Sequence, residues 1–305
     1  MASVSEWGQE TTGTEVAERF KDSIRNKNEQ IAKESPDVKL HLVELDLSSQ
    51  VATRQAAEAV SKVVDHVDIL INNAGVVTSE RRETAEGIEL WADPKRQFGT
   101  NHVGHFLLTS LLTPLLLAAA EQSGQPGAIR VVNVTSLGYR LSPIRFHDYN
   151  FEGKAVPTEE EPPAGIPSHM KPDPAAGRNY HPFSSYGQSK TANILHAVAL
   201  NDRLGSKGVR AFAVHPGSIW TDLSRNLSPD DLKVVEGTSG FWKDQDQGVA
   251  TILVAALDPA LSDTDGRVLL SDCQLVDVAA SAKSPAIAEQ LWQLSEKLTG
   301  EHSKL

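Results

Sequence analysis

Short apolar runs alternate with longer amphipathic stretches along this chain, and that rhythm predicts its fold. Val38, Leu40, Leu42 and Leu45 alternate with polar residues except at Val43, which predicts a half-buried strand ending at Asp46. Ser48 or Ser49 can cap a helix running to about Val64. Asp68–Asn72 reads as a short buried strand closed by the turn signal Asn73-Ala74-Gly75. A long helix, apolar on most faces, is expected over Lys95–Ala120, and Ile129–Val134 is the next buried strand. A helix begins near Ser184, a strand covers Val209–Val214, and a helix covers Gln247–Leu257. Arg267–Leu270 is a last strand, and Pro285–Leu298 an amphipathic closing helix. Strands separated by helices at this spacing predict an α/β fold, a Rossmann-like doubly wound parallel sheet with helices on both faces. Residues 1–35 read as a polar helical extension, with Val16, Ala17, Phe20 and Ile24 on one stripe, and residues 36–305 as a single domain.

One segment breaks the rhythm. Residues 157–182 hold 7 of the 16 prolines and the run Glu159-Glu160-Glu161, so neither helix nor central strand fits. It reads as a solvated surface loop, with a substrate lid as the alternative.

Composition narrows the partners. A net charge of −11 argues against nucleic acid or an anionic membrane surface. The single cysteine, Cys273, excludes an internal disulfide and a Cys-rich zinc site, and fits a reducing compartment. The first residues lack the apolar core of a signal peptide, and Phe106–Ala120 is too short to span a bilayer. A cytoplasmic, soluble protein is therefore expected. His102, His105 and His215 lack metal-ligand companions in sequence and read as packed or hydrogen-bonded, so no metal is expected.

Tyr186 and Lys190, four residues apart, share one helical face. A phenol gives up its proton poorly at neutral pH, and a nearby ammonium favours the phenolate and turns it into a usable acid/base. Ser136 follows a buried strand, where its hydroxyl can point into the cleft at the carboxyl ends of a parallel sheet. Asn101 lies in the long helix.

Six motifs then stand in order: Asp46-Leu47-Ser48, Asn72-Asn73-Ala74-Gly75, Thr100-Asn101-His102-Val103-Gly104-His105-Phe106, Val132-Asn133-Val134-Thr135-Ser136, Tyr186-x-x-x-Lys190 and Pro216-Gly217-x-x-x-Thr221. Together they resemble the classical short-chain dehydrogenase/reductase family, especially its retinol-dehydrogenase-like and fungal members. The resemblance implies an NAD(P)-dependent oxidoreductase acting on a small alcohol or carbonyl, with NADP slightly favoured over NAD. It makes Tyr186 the proton donor or acceptor, Lys190 its modulator and a ligand of the nicotinamide ribose, and Ser136 the partner of the substrate oxygen. Asn101 would hold a relay water. Asp46 and Leu47 would line the adenine pocket, Asn73, Ala74 and Gly75 the adenosine side, and Pro216, Gly217, Ile219 and Thr221 the nicotinamide.

The front of that pattern is missing. Family members open with a strand running into a glycine-rich turn, yet 61 consecutive residues from Thr14 to Ala74 contain no glycine. Thr12-Gly13 has no strand before it, and the later glycine positions fall on Ala17 and Arg19. A strand–helix–strand unit, on the order of 40 residues, is expected to be absent near Asn26–Glu29, which leaves the sheet N-terminally incomplete. Its loss would expose an edge of the Asp68–Asn72 strand. A second reading follows, a catalytically inactive homologue or the product of a truncated gene model, unable to bind the dinucleotide normally.

Overall fold

The computed structural model describes residues 39, 41–79, 97–225 and 227–302 of the chain. The expected extension over residues 1–35 and the junction near Asn26–Glu29 lie outside the described residues.

Five strands form one sheet: β1 (Ile69–Asn72), β2 (Ile129–Val134), β3 (Val209–His215), β4 (Leu269–Ser271) and β5 (Gln274–Val276), side by side in that order. β1 to β4 run parallel, and β4 turns back into β5 as an antiparallel hairpin. The helices are α1 (Gln50–Val63), α2 (Gly104–Ser123), α3 (Pro182–Leu204), α4 (Pro229–Glu236), α5 (Gln245–Leu257), α6 (Ala280–Lys283) and α7 (Pro285–Thr299).

Side chains alternate across the strands, and each set finds its own helices. Ile129, Val131, Ala211 and Ala213 face a core completed by Phe106 of α2, Leu195 of α3 and Trp292 of α7. Val132, Val134, Phe212 and Val214 face the opposite way, against Ala250, Val254 and Ala255 of α5. The sheet is therefore covered on both faces, as the buried runs require. Ser49 caps α1 by accepting from Ala52 N at 3.2 Å, and Ala57 of α1 packs with Leu47, Leu108 and Leu112.

Three expectations need correction. The strand expected over Val38–Leu45 is not found among its described residues: Lys39 and residues 41–46 have no regular structure, and Leu42 is fully exposed. A strand needs a neighbouring ladder, and the two strands missing from the sequence would stand between this segment and β1. Second, Phe106–Ala120, too short by itself to span a bilayer, is part of a longer apolar helix. With a π turn at Gly99–Val103 it runs to Ser123, long and apolar enough to cross a membrane by length and composition, yet mostly buried in the protein. Third, β5 and α4 were not foreseen. β5 is three residues long, and α4 starts at Ser228-Pro229, where Ser228 accepts from Asp231 N at 3.2 Å as its cap.

Among the described residues β1 pairs only with β2, so its other edge is open, and Ile71 is 39% exposed.

Candidate active site

Parallel register sets the site. Asn72 stands beside Asn133, Val134 beside Val214, and His215 beside Ser271. The segments that leave these strands, Asn73–Gly75, Thr135–Ser136 and Pro216–Gly217, therefore emerge together at the carboxyl ends of the sheet. This is where ligands bind in open α/β folds.

Helix α3 delivers Tyr186 and Lys190 to that end and is stitched to the strands that supply their partners. Thr135 Oγ1 donates to Lys190 O at 2.7 Å, and Asn193 Nδ2 donates to Val134 O at 3.0 Å. Thr191 Oγ1 donates to both Tyr139 O and Ser142 O, at 2.9 and 2.8 Å, which ties the loop after Ser136 to the same helix. Ser136 accepts from Gly138 N at 3.1 Å, and a Cβ on Gly138 would lie 3.4 Å from Ser136 Oγ and 3.0 Å from Tyr186 Cε1, so the two side chains flank the same point.

Burial dominates the electrostatics. It pushes the Tyr186 phenol up to about 12, with the Ser136 side chain acting the other way. It pulls the Lys190 ammonium down to about 8. The lowering of Tyr186 by Lys190, expected from their spacing, is not found. Lys190 Nζ stands 5.5 Å from the phenol ring centroid and donates to Val134 O at 3.1 Å.

Asn101 is fully enclosed in the π turn and joins two parts of the site. Its Oδ1 accepts from Val76 N at 2.8 Å, while its Nδ2 donates to Val76 O at 2.9 Å and to Ser189 Oγ at 3.0 Å. Ser189 in turn donates to Tyr186 O at 2.8 Å. Gly75 lies in the same space: a Cβ there would sit 3.5 Å from Lys190 Nζ and 3.6 Å from Asn101 Oδ1. Ser189 was not singled out from sequence, although it lies inside the Tyr186–Lys190 motif.

The remaining sequence-selected residues divide. Gly217 has φ +99°, and a Cβ on it would meet Lys243 Cδ at 2.5 Å, so glycine is required beside this buried lysine. Lys243 Nζ lies 2.8 Å from Asp272 Oδ1. Pro216 continues directly from β3, half-buried beside Gly217. Asp46 is exposed and accepts from Ser48 N and Ser48 Oγ, at 2.9 and 2.6 Å. Asn73 and Ala74 are exposed at the end of β1, and Thr221 is exposed with Oγ1 accepting from Leu223 N at 3.3 Å. Two side chains turn away from the role expected of them. Leu47 is buried in the α1–α2 core instead of lining a pocket, because its position beneath Gly104 excludes solvent. Ile219 packs on α5, where Cδ1 fills the space a Cβ on Gly248 would need.

Beyond Thr221 the chain crosses the front of the site. Leu223 Cδ1 comes within 3.8 Å of the Gly75 Cβ position. Ser228 N donates to Ser79 Oγ at 2.7 Å, and the Ser79 and Ser228 hydroxyls both donate to the Asp231 carboxylate. Trp220, 45% exposed, stacks on Trp242 with centroids 4.4 Å apart. His102 and His105 are buried and hydrogen-bonded, to Ser295 Oγ at 2.8 Å and Asn101 O at 2.9 Å, and His215 Nδ1 accepts from Leu137 N at 3.4 Å. No group that could hold a metal is present among the described residues.

A covered parallel sheet with polar side chains gathered at its carboxyl ends is a Rossmann-like architecture. The family described as short chain dehydrogenase matches residues 10–150. Short-chain dehydrogenase TIC 32 A, chloroplastic, of Brassica napus is 35% identical over 286 residues, 93% of this chain and 79% of that protein. Retinol dehydrogenase 12 of Mus musculus is 34% identical over 256 residues, covering 84% and 68%. Among solved structures, an uncharacterized protein from Mycobacterium Paratuberculosis is 28% identical, with a TM-score of 0.58, covering 90% of this chain and 81% of that one. A 3-ketoacyl-(acyl-carrier-protein) reductase from Brucella melitensis complexed with NADH shares the fold, at 21% identity and TM-score 0.50, over 79% and 80% of the two chains. The chain belongs to the short-chain dehydrogenase/reductase family, a family of oxidoreductases.

Proposed function

We propose that this chain is an NAD(P)-dependent oxidoreductase interconverting an alcohol and a carbonyl on a small molecule. The observation that carries the reading is the convergence of Ser136, Tyr186 and Lys190, with Asn101 and Gly75, at the carboxyl ends of β1 and β2. Tyr186 transfers the proton at the substrate oxygen, and Ser136 holds that oxygen as charge develops on it. Lys190 would bind the nicotinamide ribose through its ammonium. Asn101 holds the segment beside Gly75 against the helix that carries both, and would hold the relay water. A nicotinamide dinucleotide, when bound, supplies the hydride; the family resemblance favours NADP over NAD, and the relatives leave both open.

The residues present fit one end of that group and not the other. The nicotinamide end has Lys190, Asn101, Gly75 and the Pro216–Gly217 turn within reach. For the pyrophosphate end, the stretch from Thr14 to Ala74 offers no glycine. Losing about three charge-assisted phosphate contacts, at ~1.5–3 kcal/mol each, forfeits ~5 kcal/mol or more. That is at least a ~10³-fold weaker affinity, which moves a micromolar site to millimolar.

This shortfall favours a second reading, an inactive homologue retained for binding or regulation. Titrating NADH and NADPH against the purified 305-residue chain separates them. Millimolar binding with turnover of an aldehyde or ketone panel supports the enzyme. Micromolar binding would show the glycine turn to be dispensable. A folded chain that binds neither dinucleotide belongs to the second reading.

A further inference from the structure

His105 stands one helical turn beyond Asn101, and its ring folds back on that residue. Nδ1 lies 2.9 Å from the Asn101 carbonyl oxygen, which can only accept, so the nitrogen carries the proton. Both residues are enclosed, with 0% and 4% of their surfaces exposed for Asn101 and His105. The carbonyl belongs to the π turn, where the backbone ladder has slipped by one residue and Gly104 N–H donates to Gly99 O. A lone π turn within an α-helix is uncommon and recurs at functional sites. On its other side the same asparagine grips Val76 through N and O and reaches Ser189 Oγ.

We propose that His105 is a positioning residue. By holding the Asn101 carbonyl it fixes the turn from which Asn101 ties the Gly75–Val76 segment to the helix carrying Tyr186 and Lys190. The inference rests on the oxidoreductase reading above, because that reading gives the Gly75 and Lys190 surfaces their task.

The geometry assigns the work to one ring nitrogen. Nδ1–H makes the bond, and Nε2 has no part in it. Burial holds the ring neutral, its pKa down at about 4, with the neighbouring Lys190 charge acting in the same direction and the bond to Asn101 against it. At pH 7 a single tautomer therefore carries the contact. An asparagine at 105 can place an amide N–H near the Nδ1 position. A glutamine reaches the Nε2 position instead, and a phenylalanine offers no donor.

Two measurements on the full chain test this separately from the function it serves. The first is long-range ¹⁵N–¹H spectroscopy of histidine-labelled protein, with His105→Asn to assign the ring. We expect the Nδ1–H tautomer at pH 7, and Val76 and Ser189 amide resonances that move in His105→Gln and His105→Phe but stay in His105→Asn. An Nε2–H tautomer, or resonances that move as far in His105→Asn as in His105→Gln, overturns the inference. The second is NADPH titration. The Gln variant should bind about tenfold more weakly, the change that ~1.4 kcal/mol represents, and the Asn variant within about twofold of the parent. Equal affinity of His105→Gln and the parent removes His105 from the site. A folded parent that binds no dinucleotide sinks the proposed function, and the resonances then decide the positioning role alone. If His105→Phe fails to fold, the Gln and Asn pair carries both comparisons.

Discussion

Tyr186 is a phenol pushed up to about 12 by burial, beside an ammonium pulled down to about 8 by the same cause. Its chemistry therefore depends on the few polar contacts that reach it. Tyr186→Phe keeps the ring and removes the proton, so turnover should fall ~10²–10⁴-fold, with dinucleotide affinity unchanged. Ser136→Ala removes one donor from the substrate oxygen and should cost ~10²–10³-fold. Steady-state kinetics on a carbonyl substrate checks both, and a Tyr186→Phe variant with parental kcat would remove the phenol from the mechanism. The pH sign follows from Lys190: its charge is present below about 8 and lost above, so carbonyl reduction should decline as pH rises through that value. At this scale the sequence was informative for side chains whose role depends on their own chemistry. Ser136, Tyr186, Lys190, Asn101 and Gly75 meet in space. It fell short where a neighbour decides: Leu47, expected at the adenine pocket, lies in the core, and Ser189, not singled out, links Asn101 to Tyr186 O.

Helix α2 meets the segment before α1 at a glycine. A Cβ on Gly104 would stand 2.3 Å from Leu47 O and 3.1 Å from its carbonyl carbon, which is backbone and cannot swing away. Gly104→Ala should therefore destabilise the chain by ~1–3 kcal/mol, read as a lower urea midpoint at unchanged slope. An unchanged midpoint would mean that α1 moves freely against α2. Among the elements, those with two buried faces were plainest in the sequence: β2 and β3 fall on Ile129–Val134 and Val209–His215 because every neighbour supports them. The alternation at Val38–Leu45 misled because a period of two shows a willingness to pair and says nothing of whether a partner exists. The π turn left no pattern at all, since one slipped hydrogen bond changes no residue type.

For the whole molecule, four histidines sit in places that refuse charge. Burial holds His105 and His215 down at about 4 and His196 at about 3, and His102 falls well below its ordinary value. All titrate near 6.5 once unfolded, so above that pH they leave stability untouched. As pH falls from 6.5 toward 4 the unfolded chain takes protons that the folded chain does not, and stability is lost. By pH 5 each enclosed histidine costs about 2 kcal/mol. Denaturation midpoints measured from pH 7.5 to 5 should drop steeply below 6.5, and a flat profile would show these rings to be more accessible than the fold makes them. The edge of β1 that no strand covers among the described residues, with Ile71 exposed, is the other molecular-scale liability.

Cys273 gives the chain a built-in clock. The thiol is wholly enclosed at the β4–β5 turn, where Asp272 and Cys273 both take positive φ, at 49° and 60°, and its N–H donates to Thr251 Oγ1 of α5 at 3.2 Å. As the only sulfhydryl in the sequence, it can react with an aromatic disulfide reagent only when that corner of the sheet opens. The labelling half-time in native buffer thus times that opening with no engineered probe. Its response to mild urea separates the two routes: a rate that ignores denaturant reports fraying of the hairpin, and one that climbs with the global slope reports the loss of the whole sheet.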